Sequence, residues 1–161
     1  MKLAIVSDSH GSLDRLESVM SVLDEEDISH LLHLGDFLNY GVEEIFQNYP
    51  DISVSIARGN CDVNEELSEK INALENVSMK DVLDLELEGI RLAASHIEGV
   101  AQSEIKEKDR VDIFCHGHTH RKKIEKTNKN LRLNPGALCE DGVYFVLELP
   151  SMEIEERIVG A

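Results

Sequence analysis

Short apolar runs alternate with amphipathic stretches over the first two thirds of the chain, and strand-like segments alone fill the last third. Residues 3–6 are continuously apolar, as a strand buried on both faces requires. Ser12 suits the N-cap of a helix. Leu13, Leu16, Val19, Met20 and Leu23 then recur at helical spacing, until the acidic run 24–27 ends the pattern. Residues 28–34 read as a second strand. Val42, Ile45 and Phe46 mark a short helix that stops before Pro50. Residues 52–57 read as a third strand and 64–74 as a weaker helix. Residues 77–87 and 90–95 read as strands separated by Glu88-Gly89, 98–108 as a helix and 111–115 as a strand. Residues 121–127, 131–133, 143–149 and 152–159 then form an expected β-meander with tight turns. The mixture predicts an α/β protein with helices outside a β-rich core. No repeat, low-complexity segment or linker interrupts it, so residues 1–161 read as a single domain.

Composition narrows the class. A chain of 161 residues, 42% hydrophobic, is large enough to bury a core. Only 4% is aromatic and Trp is absent, so aliphatic side chains must fill that core. A net charge of -16 sets the whole-surface field against nucleic acid and anionic membrane as general partners. The same field opposes a phosphate-bearing substrate unless a local positive charge, such as a metal ion, reverses it. Cys61, Cys115 and Cys139 make an odd count with no Cys-x-x-Cys, which suits reduced thiols and a cytoplasmic setting. The N-terminal apolar run is too short for a signal peptide, and no stretch approaches the ~18 apolar residues of a membrane span.

Candidate chemistry gathers where the strands end. Three of the seven histidines, His116, His118 and His120, crowd into residues 115–120. Imidazole is the commonest metal-binding side chain near neutral pH, although a short histidine-rich run is equally readable as a solvated loop. The first strand runs into Asp8-Ser9-His10-Gly11, the second into Gly35-Asp36, and the third into Gly59-Asn60-Cys61-Asp62. A later strand ends at His96, and the next at His116-Gly117-His118-Thr119-His120. Ligands of open α/β sheets bind beyond the carboxyl ends of strands. Each motif alone is ordinary: Gly35-Asp36 fits a plain turn, and a single His96 fits a hydrogen-bonded structural histidine. The ordered set points to one site. Imidazole, carboxylate and amide oxygen together suit Mn, Fe, Ni, Co or Zn rather than calcium.

These residues resemble the signature of calcineurin-like metallophosphoesterases. Asp8-x-His10, Gly35-Asp36, Gly59-Asn60-Cys61-Asp62, His96 and Gly117-His118-Thr119-His120 carry the likeness. It runs in order to Asn134-Pro135-Gly136, and the Gly-Asn-Cys-Asp variant resembles the small YfcE-like phosphodiesterase branch. The resemblance implies a four-layer α/β/β/α sandwich of two mixed β-sheets flanked by helices. It implies that Asp8, His10 and His120 bind one divalent transition-metal ion, that Asn60, His96 and His118 bind a second, and that Asp36 bridges them. Manganese or nickel is the leading expectation for both ions. The expected activity is phosphodiester hydrolysis by a metal-activated bridging hydroxide. Asp36, Asn60 and His96 would act through metal and phosphate positioning. The expected substrate is a small phosphoester of the nucleotide-like kind, with no stable nucleic-acid or membrane partner. The alternative is a non-enzymatic interaction scaffold or metal-binding module on the same fold.

Three positions depart from the family pattern. Cys61 stands where many members have a histidine that protonates the leaving group; a thiol of ordinary pKa near ~8.5 is a poorer acid. Cys61 is therefore either a weak catalytic candidate or a packing residue. Ile97 follows His96 where a small residue is common, and Ala137 replaces a frequent serine. His116 is expected to support its neighbours rather than bind metal, and His33 to be packed or hydrogen-bonded. Arg58 reads equally as a phosphate contact or a salt bridge. Asp62 is expected to orient the Asn60 loop through backbone hydrogen bonds, and Arg121, Lys122 and Lys123 to form a solvated face.

Overall fold

The computed structural model describes residues 1–160. Its first half runs β1 (Lys2–Val6), α1 (Leu13–Glu25), β2 (His30–His33), α2 (Val42–Asn48), β3 (Ser53–Ala57), α3 (Glu65–Asn72) and β4 (Val77–Lys80). Then come β5 (Val82–Leu87), β6 (Ile90–Ser95), α4 (Val100–Glu104) and β7 (Ile113–Cys115). The last strands are β8 (Lys123–Lys126), β9 (Leu131–Asn134), β10 (Val143–Glu148) and β11 (Glu153–Ile158). They form a six-stranded sheet ordered β11-β10-β1-β2-β3-β4 and a five-stranded sheet ordered β5-β6-β7-β9-β8. Both are mixed. β1 to β4 are mutually parallel with β10 antiparallel to β1, and β6, β7 and β9 are parallel between antiparallel edges.

Three apolar clusters set four layers. Leu16, Val19, Met20 and Leu23 of α1, with Val42, Ile45, Phe46, Leu67 and Ile71 of α2 and α3, cover one face of the larger sheet. Leu3, Ile5, Leu32, Phe145 and Leu147 on its other face meet Leu83, Leu92, Ile113 and Leu133 of the smaller sheet. Ala101 of α4 packs with Ala93, Val111 and Phe114 on the far side. The result is the expected α/β/β/α sandwich. β1 serves both interfaces, with Ala4 and Val6 facing the helices and Leu3 and Ile5 facing the second sheet. That double burial is why its sequence is apolar throughout. Truncating the fully buried Phe145 would cost about 3–5 kcal/mol.

Several elements differ from those expected of the sequence. The strand expected over 77–87 is two strands in different sheets, broken at Asp81. Val77 and Met79 point to the helix-side core, whereas Leu83 points to the core between the sheets. A period of two continues through the break, so alternation could not reveal it. The helix expected over 98–108 is confined to Val100–Glu104, followed by one 3₁₀ turn at Lys108–Arg110. Ile105 is the only apolar residue in 105–110, so a further turn would bury nothing. The expected meander is two hairpins in separate sheets, β8–β9 in the smaller and β10–β11 in the larger. Ser12 occupies the N-cap of α1, but its hydroxyl makes no cap hydrogen bond; Asn64 does cap α3, accepting from the Leu67 N–H at 3.0 Å.

Candidate metal centre

The carboxyl ends of β1, β2, β3, β6 and β7 meet at one edge of the sandwich. Backbone bonds zip the loops together: Asp8 N–H donates to the Gly35 carbonyl at 3.0 Å and His10 N–H to the Asp36 carbonyl at 2.9 Å. The Asp62 carboxylate accepts N–H bonds from Asp36 (2.8 Å), Phe37 (3.0 Å), Leu38 (3.1 Å) and Gly59 (2.9 Å). It therefore ties the Asp36 loop to the Asn60 loop, in keeping with the orienting role read from the sequence. Across the sheets, Gly117 N–H donates to the His96 carbonyl at 2.9 Å and His118 N–H to Asp8 Oδ2 at 3.0 Å.

The seven expected ligands are brought into one cluster by these loops. One group joins Asp8, His10 and His120; a second joins Asp36, His96 and His118; within each, the donor atoms lie within 4.8 Å of one another. His120 Nε2 is 3.3 Å from Asp8 Oδ1, and His96 Nε2 is 3.2 Å from Asp36 Oδ2. The groups abut, because His10 Nε2 lies 3.7 Å from Asp36 Oδ2 and His96 Nε2 lies 3.9 Å from Asp8 Oδ1. Asn60 adds an amide oxygen to the second group, 3.1 Å from His118 Nδ1. Asp8, Asp36 and His96 are buried, while Asn60 and His118 are exposed, so the cluster opens to solvent on that side.

Two observations fit this cluster to divalent cations. The first is charge: the carboxylates of Asp8 and Asp36 are buried side by side, and among the described residues neither has a Lys or Arg partner. Burying two uncompensated anions costs several kcal/mol each, which bound cations would offset. The second is hydrogen bonding. His96 Nδ1 donates to the Leu34 carbonyl at 2.6 Å, which places its proton there and leaves Nε2 as a lone pair. That Nε2 and Asp8 Oδ1 are buried polar atoms with no hydrogen-bond partner. Unsatisfied acceptors on facing side chains are what metal ligands present without their ion.

The backbone is strained at the same place. Asp8 (φ 50°), His10 (φ 40°), Asp36 (φ 58°), His118 (φ 67°) and His120 (φ 58°) all lie in the left-handed region. Non-glycine residues seldom adopt it, and each instance costs roughly 1–3 kcal/mol. The glycines do different work. A Cβ at Gly59 would collide with the Asp36 carboxylate, and one at Gly117 with Ser7 Oγ and Asp8 Oδ2. They make room for the carboxylates themselves.

Neighbouring groups orient the cluster. His120 Nδ1 donates to Glu140 Oε1 at 2.8 Å, which turns Nε2 inward and holds the imidazole pKa above its usual value. Ser7 Oγ donates to Asp8 Oδ2. The Asn134 amide donates to the Gly117 carbonyl and Thr119 Oγ1, both at 3.1 Å, and so clamps the histidine loop. Glu140, Ser7 and Asn134 were not singled out as site residues by sequence reasoning. Only Asn134-Pro135-Gly136 gave a local signal, as a turn.

The remaining candidates fall around this centre. Gly35 N–H donates to His33 Nδ1 at 3.0 Å, so His33 Nε2–H faces Ser9 Oγ at 3.0 Å; complete burial lowers its pKa to about 3. Cys61 is exposed, and its backbone N–H donates to Asp36 Oδ1 at 2.9 Å. Partial burial, then the Asp36 carboxylate, raises the thiol pKa, so it is held protonated and weakly acidic. His116 lies apart from the cluster, its Nε2 3.6 Å from Glu98 Oε1. Arg58 Nε donates to Asp81 Oδ1 at 2.8 Å while its side chain lines a cleft beside Asn60 and His96. Lys122 and Lys123 are ion-paired with Glu156 and Glu98 at 2.8 and 2.6 Å, as suits a solvated face. No helix among the described residues is long and apolar enough to cross a membrane.

Comparison with known proteins agrees with this geometry. Residues 1–151 match the model of the calcineurin-like phosphoesterase superfamily domain. The phosphodiesterase MJ0936 of Methanocaldococcus jannaschii is 28% identical over 146 residues, covering 86% of this chain and 85% of that protein. The phosphodiesterase YfcE of Escherichia coli K12 is 27% identical over 150 residues, covering 86% and 79%. Among solved structures, an archaeal phosphodiesterase superposes with a TM-score of 0.80 at 22% identity, covering 98% of this chain and 99% of that one. Vps29 of Chaetomium thermophilum superposes with a TM-score of 0.68 at 15% identity, covering 98% and 95%.

Proposed function

The chain belongs to the calcineurin-like phosphoesterase superfamily, and from that premise we propose that it is a metal-dependent phosphodiesterase acting on a small phosphoester at a two-metal centre. One observation carries the proposal: buried Asp8 Oδ1 and His96 Nε2, facing the centre without a partner. Asp8, His10 and His120 would hold one divalent ion, Asn60, His96 and His118 the other, and Asp36 both. Two bound ions supply a positive field that acidifies water and neutralises charge gathering on the phosphoryl oxygens. Among the divalent transition metals that nitrogen and oxygen donors accept, manganese or nickel is the leading candidate. The relatives named phosphodiesterases, at 28% and 27% identity, support the diester over the monoester.

The chain's own residues prepare the site. Asp8 and Asp36 set the negative charge that draws cations into an otherwise buried corner. The Leu34 carbonyl and Glu140 fix the His96 and His120 tautomers so that Nε2 of each carries the lone pair. Asp62 holds the Asp36 and Asn60 loops in register. Exposed Asn60 and His118 leave that flank open to a phosphoryl group. Cys61, a protonated thiol beside Asp36, is a poor proton source for that flank. Substrates whose leaving group needs little protonation are therefore favoured. The scaffold alternative has no comparable support, since the likeness to Vps29 at 15% identity speaks to fold alone.

The test is hydrolysis of bis(4-nitrophenyl) phosphate by chelator-stripped protein, then with manganese or nickel restored. Turnover should depend on added metal and accompany about two bound ions per chain by elemental analysis. Equal activity in stripped and loaded protein, or no bound transition metal, would sink the proposal.

A further inference from the structure

The charged surface of this protein carries few exposed large apolar side chains, and two of them stand together at the proposed centre. Val63 is 78% exposed and Ile97 is 42% exposed. Both line a cleft of about 390 Å³ that Asn60 and His96 also line. That volume lies at the low end of the ~300–1,000 Å³ of small-molecule sites. Neither residue belongs to any of the three apolar clusters, so neither is needed for the core. Val100 of α4 continues the same wall. Ser95 makes that wall firm, because its hydroxyl donates to the Ile97 carbonyl at 2.8 Å and accepts from the Ala101 N–H at 3.0 Å.

We infer that this cleft receives one ester arm of the substrate, and that the arm is flat, apolar and uncharged, such as an aryl ring. The inference rests on the phosphoester reading, because Asn60 and His96 are what place the cleft beside the phosphorus. Hydrophobic surface is favourable to cover, and Val63, Ile97 and Val100 offer it next to the site. Charge selects against a longer polyanion. Glu65 and Asp81 sit on the rim, so a second phosphate on the arm would approach two carboxylates in a chain of net charge -16. Arg58 is the only cation lining the cleft, and its Nε is committed to Asp81. Its terminal nitrogens have no hydrogen-bond partner among the described residues, which leaves the guanidinium plane free to stack on a ring.

Two diesters with the same leaving group separate the arm from the chemistry. With manganese-loaded protein, 4-nitrophenyl phenyl phosphate should show kcat/KM roughly tenfold above 4-nitrophenyl methyl phosphate, the scale of a filled apolar pocket. Replacing both exposed residues, Val63→Asn with Ile97→Asn, should bring the two substrates to within about twofold of each other. A wild-type ratio near one, or an unchanged ratio in the double variant, would overturn the inference. If neither diester is hydrolysed, the function reading fails, and binding still decides the cleft. Calorimetry with diphenyl phosphate and dimethyl phosphate should then show at least fivefold tighter binding of the former, lost in the double variant. Equal affinities would refute the aryl site. Circular dichroism and bound-metal content of the double variant exclude misfolding as the cause.

Discussion

His10 and His120 meet nitrogen to nitrogen, with their Nε2 atoms 3.2 Å apart. His120 has its proton on Nδ1, donated to Glu140, so its Nε2 presents a lone pair to its neighbour. A cation held by both Nε2 atoms and Asp8 Oδ1 would replace this hydrogen bond with coordination. His120→Ala should therefore lower bound manganese from about two ions per chain to about one, leaving the Asp36, His96 and His118 group occupied. Turnover should fall by roughly two orders of magnitude or more. Two ions retained at wild-type affinity would argue that His120 is not a ligand.

Glu140 orients His120 from outside the cluster, through a 2.8 Å hydrogen bond. Glu140→Ala should weaken binding of the first ion about tenfold, within the usual 10–100-fold range for such partners. Glu140→Gln, which keeps an acceptor for Nδ1–H, should restore most of that affinity. Calorimetric metal titration of both variants is the check, and equal loss in the two would mean that charge, not orientation, is what Glu140 contributes.

Asp62 accepts four backbone N–H bonds from two loops. An amide at this position has one acceptor oxygen and brings two donors toward donors. Asp62→Asn should cost about 2–4 kcal/mol, a fall in Tm of roughly 5–10 °C for a chain of this size. Thermal denaturation without metal measures it. A change below about 1 °C would show that water replaces these bonds at little cost.

His33 carries the pH dependence. Burial lowers its folded pKa from 6.5 to about 3, so below pH 6.5 the unfolded chain takes up a proton that the folded chain refuses. Its contribution to stability is complete above pH 6.5 and is lost as pH falls toward 3, at about 1.4 kcal/mol per pH unit. His33→Gln removes that proton uptake. The difference in unfolding free energy between wild type and variant should shift by about 2 kcal/mol or more between pH 6.5 and 4.5, in the wild type's disfavour. A pH-independent difference would contradict the buried, neutral assignment.

Cys61 limits the range of leaving groups. Cys61→His should raise turnover of alkyl esters, which need a proton delivered, by roughly tenfold or more, with less effect on 4-nitrophenyl esters. A leaving-group series read as the dependence of log kcat/KM on leaving-group pKa should flatten in the variant. An unchanged slope would place the proton source elsewhere.

Much of the architecture was legible because buried parallel strands leave continuous apolar runs, as at Leu3, Ala4, Ile5 and Val6. The site was legible by residue type, since Asp8, Asp36, Asn60 and His96 each lie within three residues of a strand's carboxyl end. What could not be read is non-local. Whether β5 continues β4 or starts a second sheet depends on which core Leu83 reaches. Whether β9 pairs only with β8 or also with β7 depends on a partner eighteen residues away. Glu140 lies twenty residues from the histidine it orients, and nothing beside it in sequence marks it.

Five of the seven proposed ligands sit on backbone that side chains ordinarily avoid. The consequence concerns transplantation. Copying the seven side chains onto another sandwich with relaxed loops would set the same donors on different vectors and scatter the cluster. A faithful graft must carry whole strand-to-loop segments, together with Asp62 and Asn134, which hold those segments in place. The portable unit of this chemistry is the shape of the main chain, and the ligand list is its by-product.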